Sequence, residues 1–310
     1  MSSILHPITK NQSVDRLHCA IRSFGSTLAK RRHAVFEPAL SADARCSSQS
    51  QDVSGMNRIA VVTGANSGLG EATCLALEAD GDRVLRVDLS GCDINADLAQ
   101  AEGRQEVVRR VEERAPHGVD AVVTWAGGGG PTLDLLRVNY FGTIDIIDGL
   151  HPLLAMSKAP RVVVTTSRMS LEPSDATLVG LLLSGDETEI VARYGDETTP
   201  QQYYIAAKTA VARWMRRAAI HPRWNDAGIR INAIAPGLIE TPRTQKGLAA
   251  PAIATWLQAM HPQAEQTLSK ATEIGVLARF LASEENSLLI GQCIFADRGT
   301  EAILRGDAIW

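Results

Sequence analysis

Tyr204-Ile205-Ala206-Ala207-Lys208 sets a phenol and an ammonium four residues apart. In a helix two such side chains share a face and can act on one bound molecule. Reduction of a ketone needs hydride at carbon and a proton at oxygen. A tyrosine, with a pKa of about 10, exchanges protons poorly at neutral pH unless positive charge stabilises its phenolate. Lys208 is placed to supply that charge. Tyr203 is adjacent but points about 100° away on an ideal helix, and it has Ala207 rather than a lysine four residues on. Such pairs also occur on ordinary amphipathic helices, so the spacing needs support from elsewhere in the chain.

A second chemical element stands at Thr63-Gly64-Ala65-Asn66-Ser67-Gly68-Leu69-Gly70. A pyrophosphate can lie against a turn of this kind, because glycine lets the backbone approach closely and the start of the following helix offers N–H groups and a favourable dipole. Asp88 ends the next strand, where a ribose hydroxyl needs an acceptor. A carboxylate there repels a 2′-phosphate, so NAD is expected over NADP. A tight turn without ligand and a solvated strand-end carboxylate are the competing readings.

These residues need a framework, and the hydrophobic pattern describes one. Nearly continuous apolar runs at Arg58 to Thr63, Arg83 to Asp88, Asp120 to Trp125, Arg161 to Thr166 and Gly228 to Ile234, with Gln292 to Ala296 after them, read as strands, most of them buried on both faces. Helical periodicity fills the gaps, as at Glu71 to Glu78, Glu102 to Glu113 and Ile205 to Arg217. Gly81 reads as the stop of the first of these helices. Strand and helix in alternation predict an α/β fold: a doubly wound parallel sheet (Rossmann fold) in three αβα layers, with ligands at the carboxyl ends of the strands.

The 310 residues, 45% of them hydrophobic, suit one domain at 56–310 with an N-terminal extension at 1–55. In the extension, Val14, Leu17, Ile21, Phe24 and Leu28 recur at helical spacing, after Ser13 as a possible cap and before Lys30, Arg31 and Arg32. The readings are a disordered arm, a start assigned too early with Met56 as the true one, or a mitochondrial-type targeting segment. A net charge of -4 gives no reason to expect nucleic acid as a partner. Five scattered cysteines without a CxxC pair argue against a disulfide framework and for a reducing, cytoplasmic setting. Seven histidines without ligand spacing suggest no metal, and no apolar run reaches the roughly 20 residues of a membrane span.

Taken together, the motifs resemble the short-chain dehydrogenase/reductase family, with matches spread over nearly all of residues 56–310. The glycine turn matches the family's TGxxxGxG, and Tyr204 and Lys208 match its YxxxK. Val163-Val164-Thr165-Thr166-Ser167 puts Ser167 at the place of the catalytic serine. Val138-Asn139-Tyr140-Phe141-Gly142 puts Asn139 at the asparagine that holds a water behind the lysine.

The resemblance implies a role for each residue. Tyr204 exchanges the proton, Lys208 lowers its pKa and holds the nicotinamide ribose, Ser167 orients the substrate oxygen, and Asn139 completes the relay. It implies an NAD site made of Gly64, Ser67, Gly68, Leu69, Gly70, Asp88, Asp97, Leu98, Ala126, Gly127, Tyr204, Lys208, Pro236, Gly237 and Thr241. Plainer roles stay open for two of them: Ser167 as a strand end and Asn139 as a backbone cap.

The departures from the pattern are informative. The family often has Asn-Asn-Ala-Gly where this chain has Thr124-Trp125-Ala126-Gly127. The bracing asparagine is missing, and Trp125 is expected to brace by packing. The link from Gly127–Gly130 to Asn139 is short, and the stretch from Arg168 to Gln202 is long. With Ala101-Glu102-Gly103-Arg104, this combination is similar to bacterial NAD-dependent 3α-hydroxysteroid dehydrogenase/carbonyl reductases.

The implied substrate is a small lipophilic alcohol or ketone. Leu178 to Leu183 and the segment from Arg243 to Gln266, with Trp256, Leu257 and Met260, read equally as a cover over it or as core and subunit contact. A homodimer or homotetramer is implied. A reductase of another carbonyl (terpene, quinone or aryl ketone) and a non-catalytic NAD-binding scaffold or sensor are the alternatives.

Overall fold

β-branched runs form the strands and place a parallel sheet at the centre of the molecule. The computed structural model describes residues 57–128, 132–195, 199–265 and 267–308. The readings made of the N-terminal extension and of Met56 lie outside the described residues.

In chain order the first half contains β1 (Ile59–Thr63), α1 (Gly68–Ala79), β2 (Arg83–Asp88), β3 (Ile94–Asn95), α2 (Ala101–Arg114), β4 (Ala121–Thr124), α3 (Thr132–Leu136), a π-helical turn (Arg137–Phe141), α4 (Gly142–Leu154) and β5 (Arg161–Thr165). The second half begins with a 3-10 turn (Arg168–Leu171). It continues with α5 (Ala176–Ser184), α6 (Glu187–Tyr194), α7 (Pro200–Ile220), α8 (Pro222–Asn225), β6 (Arg230–Pro236), β7 (Ile239–Glu240), α9 (Pro242–Leu248), α10 (Pro251–Met260), β8 (Ser269–Lys270), α11 (Ala271–Ala282), β9 (Cys293–Ala296) and α12 (Thr300–Arg305).

The seven-stranded sheet runs β3-β2-β1-β4-β5-β6-β9 with every pairing parallel. The chain winds outward from β1 to β3 and then crosses back to β4. The loops after β1 and β4 therefore part in opposite directions and leave a crevice at the strand ends. Thr63 stands beside Thr124 in register at its floor.

Side chains of alternate parity fill the two faces. Ala60, Val62 and Val123 pack with Cys74, Leu77, Ile274 and Leu281 of α1 and α11. Val61, Val122 and Val162 pack with Val107, Val111, Ile147, Leu150, Ala210 and Met215 of α2, α4 and α7. This is the three-layer, doubly wound arrangement that the alternation of elements predicts.

The differences from the sequence reading are local. β3 and the separate β7–β8 pair have two residues each, too few for a period to show. The strand expected at Gly228 to Ile234 lies two residues later, since Gly228 (φ +70) belongs to the preceding turn. Gly81 (φ +93) does follow α1, as expected of a stop. In the long insertion, Leu178, Val179 and Leu182 are buried in the same cluster as α7 residues. That part of the insertion is core.

Candidate active site

The glycine turn after β1 divides its labour. A Cβ on Gly64 (φ +67) would lie 2.7 Å from the Ala126 nitrogen, and one on Gly70 would lie 1.9 Å from the Gly64 carbonyl oxygen. These two glycines are required by the protein's own packing. Gly68 (φ +56) differs: a Cβ there meets nothing nearer than the Thr241 methyl group at 3.7 Å. The turn is thus left open on the side facing Thr241. Ser67 caps α1 in extended conformation without using its side chain, and Ser67 is exposed. Hydroxyl and helix-start N–H groups border one space.

Asp88 lies at the same end of the sheet. One carboxylate oxygen accepts from Asn66 N–H at 2.9 Å and the other from Leu89 N–H at 2.7 Å, which fixes the group beside the turn. Two N–H donors leave a carboxylate with lone pairs to spare. Asp97 accepts from Ala99 N–H at 2.9 Å. The Leu98 side chain is buried in the core, so only its main chain is available to a ligand.

The exit of β4 is held by the expected packing of Trp125 and by more. Trp125 packs in the core and also donates from Nε1 to Thr73 Oγ1 at 2.8 Å, while that hydroxyl donates to the Leu69 carbonyl at 2.7 Å. The tryptophan braces α1 to β4 by a hydrogen bond as well as by packing. The Thr165 hydroxyl donates to the Thr124 carbonyl and ties β5 to β4. Ala126 N–H donates to Thr63 Oγ1 at 3.2 Å. Thr63 opens the glycine motif read from the sequence, but the bracing bond of neither hydroxyl was foreseen, because threonine is an ordinary strand residue.

Three predicted residues converge just beyond. A Cβ on Gly127 would lie 2.6 Å from Asn139 Oδ1 and 3.7 Å from Lys208 Nζ. Asn139 sits in the π-helical turn and donates from Nδ2 to the Leu135 carbonyl at 2.7 Å and the Gly128 carbonyl at 3.3 Å. Its Oδ1 is buried without a partner. One end of the amide therefore caps the backbone, and the other is left for something else. A buried acceptor in such a place is normally met by water or a ligand.

Lys208, 3% exposed, donates to the Thr165 carbonyl at 3.1 Å, and its Nζ lies 5.7 Å from the centre of the Tyr204 ring. Burial pushes the Lys208 pKa down to about 7.

α7 sorts the two tyrosines as a helix must. Thr199 and Pro200 start it, and positions 203 and 204 then face differently. Tyr203 is fully buried and its hydroxyl donates to the Gly195 carbonyl, whereas Tyr204 is half-buried on the Lys208 face. The 3-10 turn after β5 packs against α7. Ser167 opens that turn, accepting from Met169 N–H at 3.2 Å. Its single O–H donor is not required by that bond.

The last predicted group closes the far side. Pro236 ends β6, Gly237 donates to the Ala296 carbonyl at 3.2 Å, and a Cβ on Gly237 would lie 2.7 Å from Asp297 Cα. Thr241 caps α9 through Oγ1, which accepts from Thr244 N–H at 3.2 Å. α9 and α10 follow, and α10 buries none of its residues.

The comparisons agree with this geometry. The short chain dehydrogenase family matches residues 58–179, and the family described as Enoyl-(Acyl carrier protein) reductase matches 190–301. The 3-alpha-hydroxysteroid dehydrogenase/carbonyl reductase of Comamonas testosteroni is 32% identical over 258 residues, covering 80% of this chain and 98% of that one. The chain belongs to the short-chain dehydrogenase family. It is accordingly an oxidoreductase of hydroxyl or carbonyl groups with a nicotinamide cofactor.

The cis-4-hydroxycyclohexanecarboxylate dehydrogenase of Sinomonas cyclohexanicum is 30% identical, over 79% of this chain and 97% of that one. Among solved structures, the 3-alpha-hydroxysteroid dehydrogenase from Pseudomonas sp. B-0831 complexed with NADH superposes with a TM-score of 0.75 at 29% identity, covering 80% of this chain and 99% of that one. Among the described residues no helix is long and apolar enough to cross a membrane, and no cluster of metal ligands is present.

Proposed function

We propose that the protein is an NAD(H)-dependent dehydrogenase/reductase that interconverts a secondary alcohol and a ketone on a lipophilic substrate, with a 3α-hydroxysteroid as the first to test. The observation that carries this reading is the convergence at Gly127. A buried ammonium and an unpartnered amide oxygen meet there, directly behind a half-buried tyrosine. An ammonium buried this deeply is stabilised most by a negative charge forming beside it, and the phenolate of Tyr204 is that charge. Tyr204 gives its proton to the substrate oxygen in reduction and takes it back in oxidation. Ser167 O–H donates to the same oxygen and orients it. Asn139 Oδ1 holds a water next to Lys208, through which the proton is replaced.

The residues present fit a nicotinamide dinucleotide. Gly64, Ser67, Gly68, Leu69 and Gly70 would hold the pyrophosphate, Asp88 the adenosine ribose, and Asp97 with the Leu98 main chain the adenine. Ala126, Gly127, Tyr204, Lys208, Pro236, Gly237 and Thr241 would hold the nicotinamide half. When bound, the nicotinamide supplies or accepts the hydride. The Asp88 charge beside the turn disfavours a 2′-phosphate, so NAD is the assigned form; the NADH complex of the Pseudomonas relative agrees.

Residues 56–310 form the catalytic unit of this proposal, working as a homodimer or homotetramer in the cytoplasm with no nucleic-acid partner. Another carbonyl substrate is the second reading. It is favoured by the exposed apolar residues Ile253 and Trp256 on α10, which suit many lipophilic shapes.

The test is a titration of NADH against NADPH, followed by a panel of steroid, terpene, quinone and aryl ketones. Tighter NADH binding and turnover of a lipophilic ketone are expected. Tighter NADPH binding contradicts the role of Asp88. NADH binding without any turnover favours a scaffold.

A further inference from the structure

Of the two helices in the long insertion, α5 joins the core, whereas α6 buries only Ile190. What α6 contributes is a charge at its start. Gly185 (φ +78) turns the chain out of α5, and Asp186 caps α6 by accepting from Glu189 N–H at 2.9 Å. Glu187 is then the first helical residue, where the helix dipole favours an acid. Its two carboxylate oxygens go separate ways. Oε2 accepts from Arg104 Nη2 at 3.2 Å, and Oε1 accepts from Arg137 Nε at 2.6 Å.

The two arginines serve different parts of the proposed cofactor site. Arg104, on α2, is buried, and a buried guanidinium is tolerated only where its charge and donors are met. Its Nη1 donates to the Leu98 carbonyl at 3.2 Å and the Ala99 carbonyl at 3.3 Å, and its Nε lies 2.8 Å from Asp145 of α4. Arg104 is therefore fixed to the turn at residues 97–100, assigned above to the adenine. Arg137 opens the π-helical turn that carries Asn139 two residues on. Its other acid partner, Asp134 at 3.3 Å, stands three residues before it on the same stretch of chain. Glu187 is what ties this side chain to a distant part of the molecule.

The π-helical turn has little slack in which to absorb a shift. Gly142 N–H donates to the Arg137 carbonyl and closes the widened turn, and a Cβ on Gly142 would lie 3.1 Å from Leu98 Cβ. The turn thus abuts the adenine-side residue directly. Asn139 hangs from the same backbone, and its Oδ1 is the atom that a Cβ on Gly127 would approach to 2.6 Å. A movement of Arg137 is passed on to that oxygen. π-helical turns are rare, and an ion pair at the first residue is one means of holding this one in place.

We propose that Glu187 is a positioning residue for the proton relay: by bridging Arg104 and Arg137 it fastens the π-helical turn, and with it Asn139, to the turn that meets the adenine. The insertion thereby supports the site from behind as well as extending the core. Loss of the bridge loosens Asn139 without touching substrate, Tyr204 or Ser167.

This inference deepens the functional reading, on which it rests for the role of Asn139, so one arm of its test is independent of turnover. Amide exchange of residues 137–142 and steady-state ketone reduction are measured in the full chain for wild type, Glu187→Gln, Arg137→Gln and Glu189→Gln. Glutamine keeps the length of Glu187 but offers one acceptor oxygen where the carboxylate has two. Arg137→Gln breaks the bridge from the other end and spares Arg104. Glu189, exposed on the same helix, controls for loss of charge alone. Exchange in the turn should be about two- to thirtyfold faster in the first two variants, and kcat lower by a similar factor, the range through which residues off a site modulate it. The ketone KM should not move. Glu189→Gln should match wild type in both measurements. With Asn139→Ala already in place, Glu187→Gln should lower kcat no further, because residues that act through one another are not additive. Unchanged exchange in both bridge variants, or a kcat loss of the same size with and without Asn139, overturns the proposal. Faster exchange of the turn in a protein whose wild type reduces no ketone overturns the functional reading and leaves the tether standing.

Discussion

Burying the Lys208 ammonium costs folding free energy, and that burial alone brings its pKa from 10.5 to about 7. The unfolded chain binds the proton more tightly between these values, so this group makes stability rise with pH from about 7 to 10.5. Lys208→Met removes the buried charge. The cofactor-free variant should melt higher than wild type, most clearly at pH 6–7, with the difference closing toward pH 10, while activity is lost; thermal melts at pH 6, 8 and 10 check this. A stability gain with a loss of function is expected where a site keeps an unfavourable charge for chemistry. Gly127→Ala acts on the same spot through space. Asn139 is tied down by two bonds and cannot retreat from a Cβ at 2.6 Å. The substitution should lower kcat/KM by about a hundredfold, the scale of an ångström's misplacement, with the circular dichroism spectrum unchanged.

The strands were legible at the scale of elements because β1, β4, β5 and β6 are buried on both faces, and a buried parallel strand leaves a continuous apolar run in any sequence. β3, β7 and β8 were not, since two residues carry no period. The π-helical turn at Arg137–Phe141 was equally invisible: it differs from an α-helix by one widened backbone bond, which no side chain announces. Yet that turn sets where Asn139 points. The residues that meet at Gly127 were named from the family's motifs, while the hydroxyl bonds that fasten β4 were not, because ordinary residue types become special only through their neighbours. Trp125 falls between, read correctly as a brace but not as a donor. Trp125→Phe leaves the fully buried Thr73 Oγ1 without its donor and should cost about 1–3 kcal/mol. Chemical denaturation with unchanged m-value would measure it.

At the scale of the whole molecule, every predicted site residue lies on elements between β1 and α9, at the carboxyl ends of the sheet strands or in the loops and helices that follow them. A chain beginning at Met56 carries every one of these residues and should keep the full chain's ketone turnover. Parallel assays of the two chains check this. The account stands on Tyr204 acting on the substrate oxygen with Lys208 behind it. The most direct measurement is NADH binding and ketone turnover in wild type and Tyr204→Phe, side by side. The account predicts an NADH Kd within about twofold in both proteins and a turnover number lower by 10²- to 10⁴-fold in the variant, the range that general acid catalysis supplies. Equal turnover in Tyr204→Phe contradicts it.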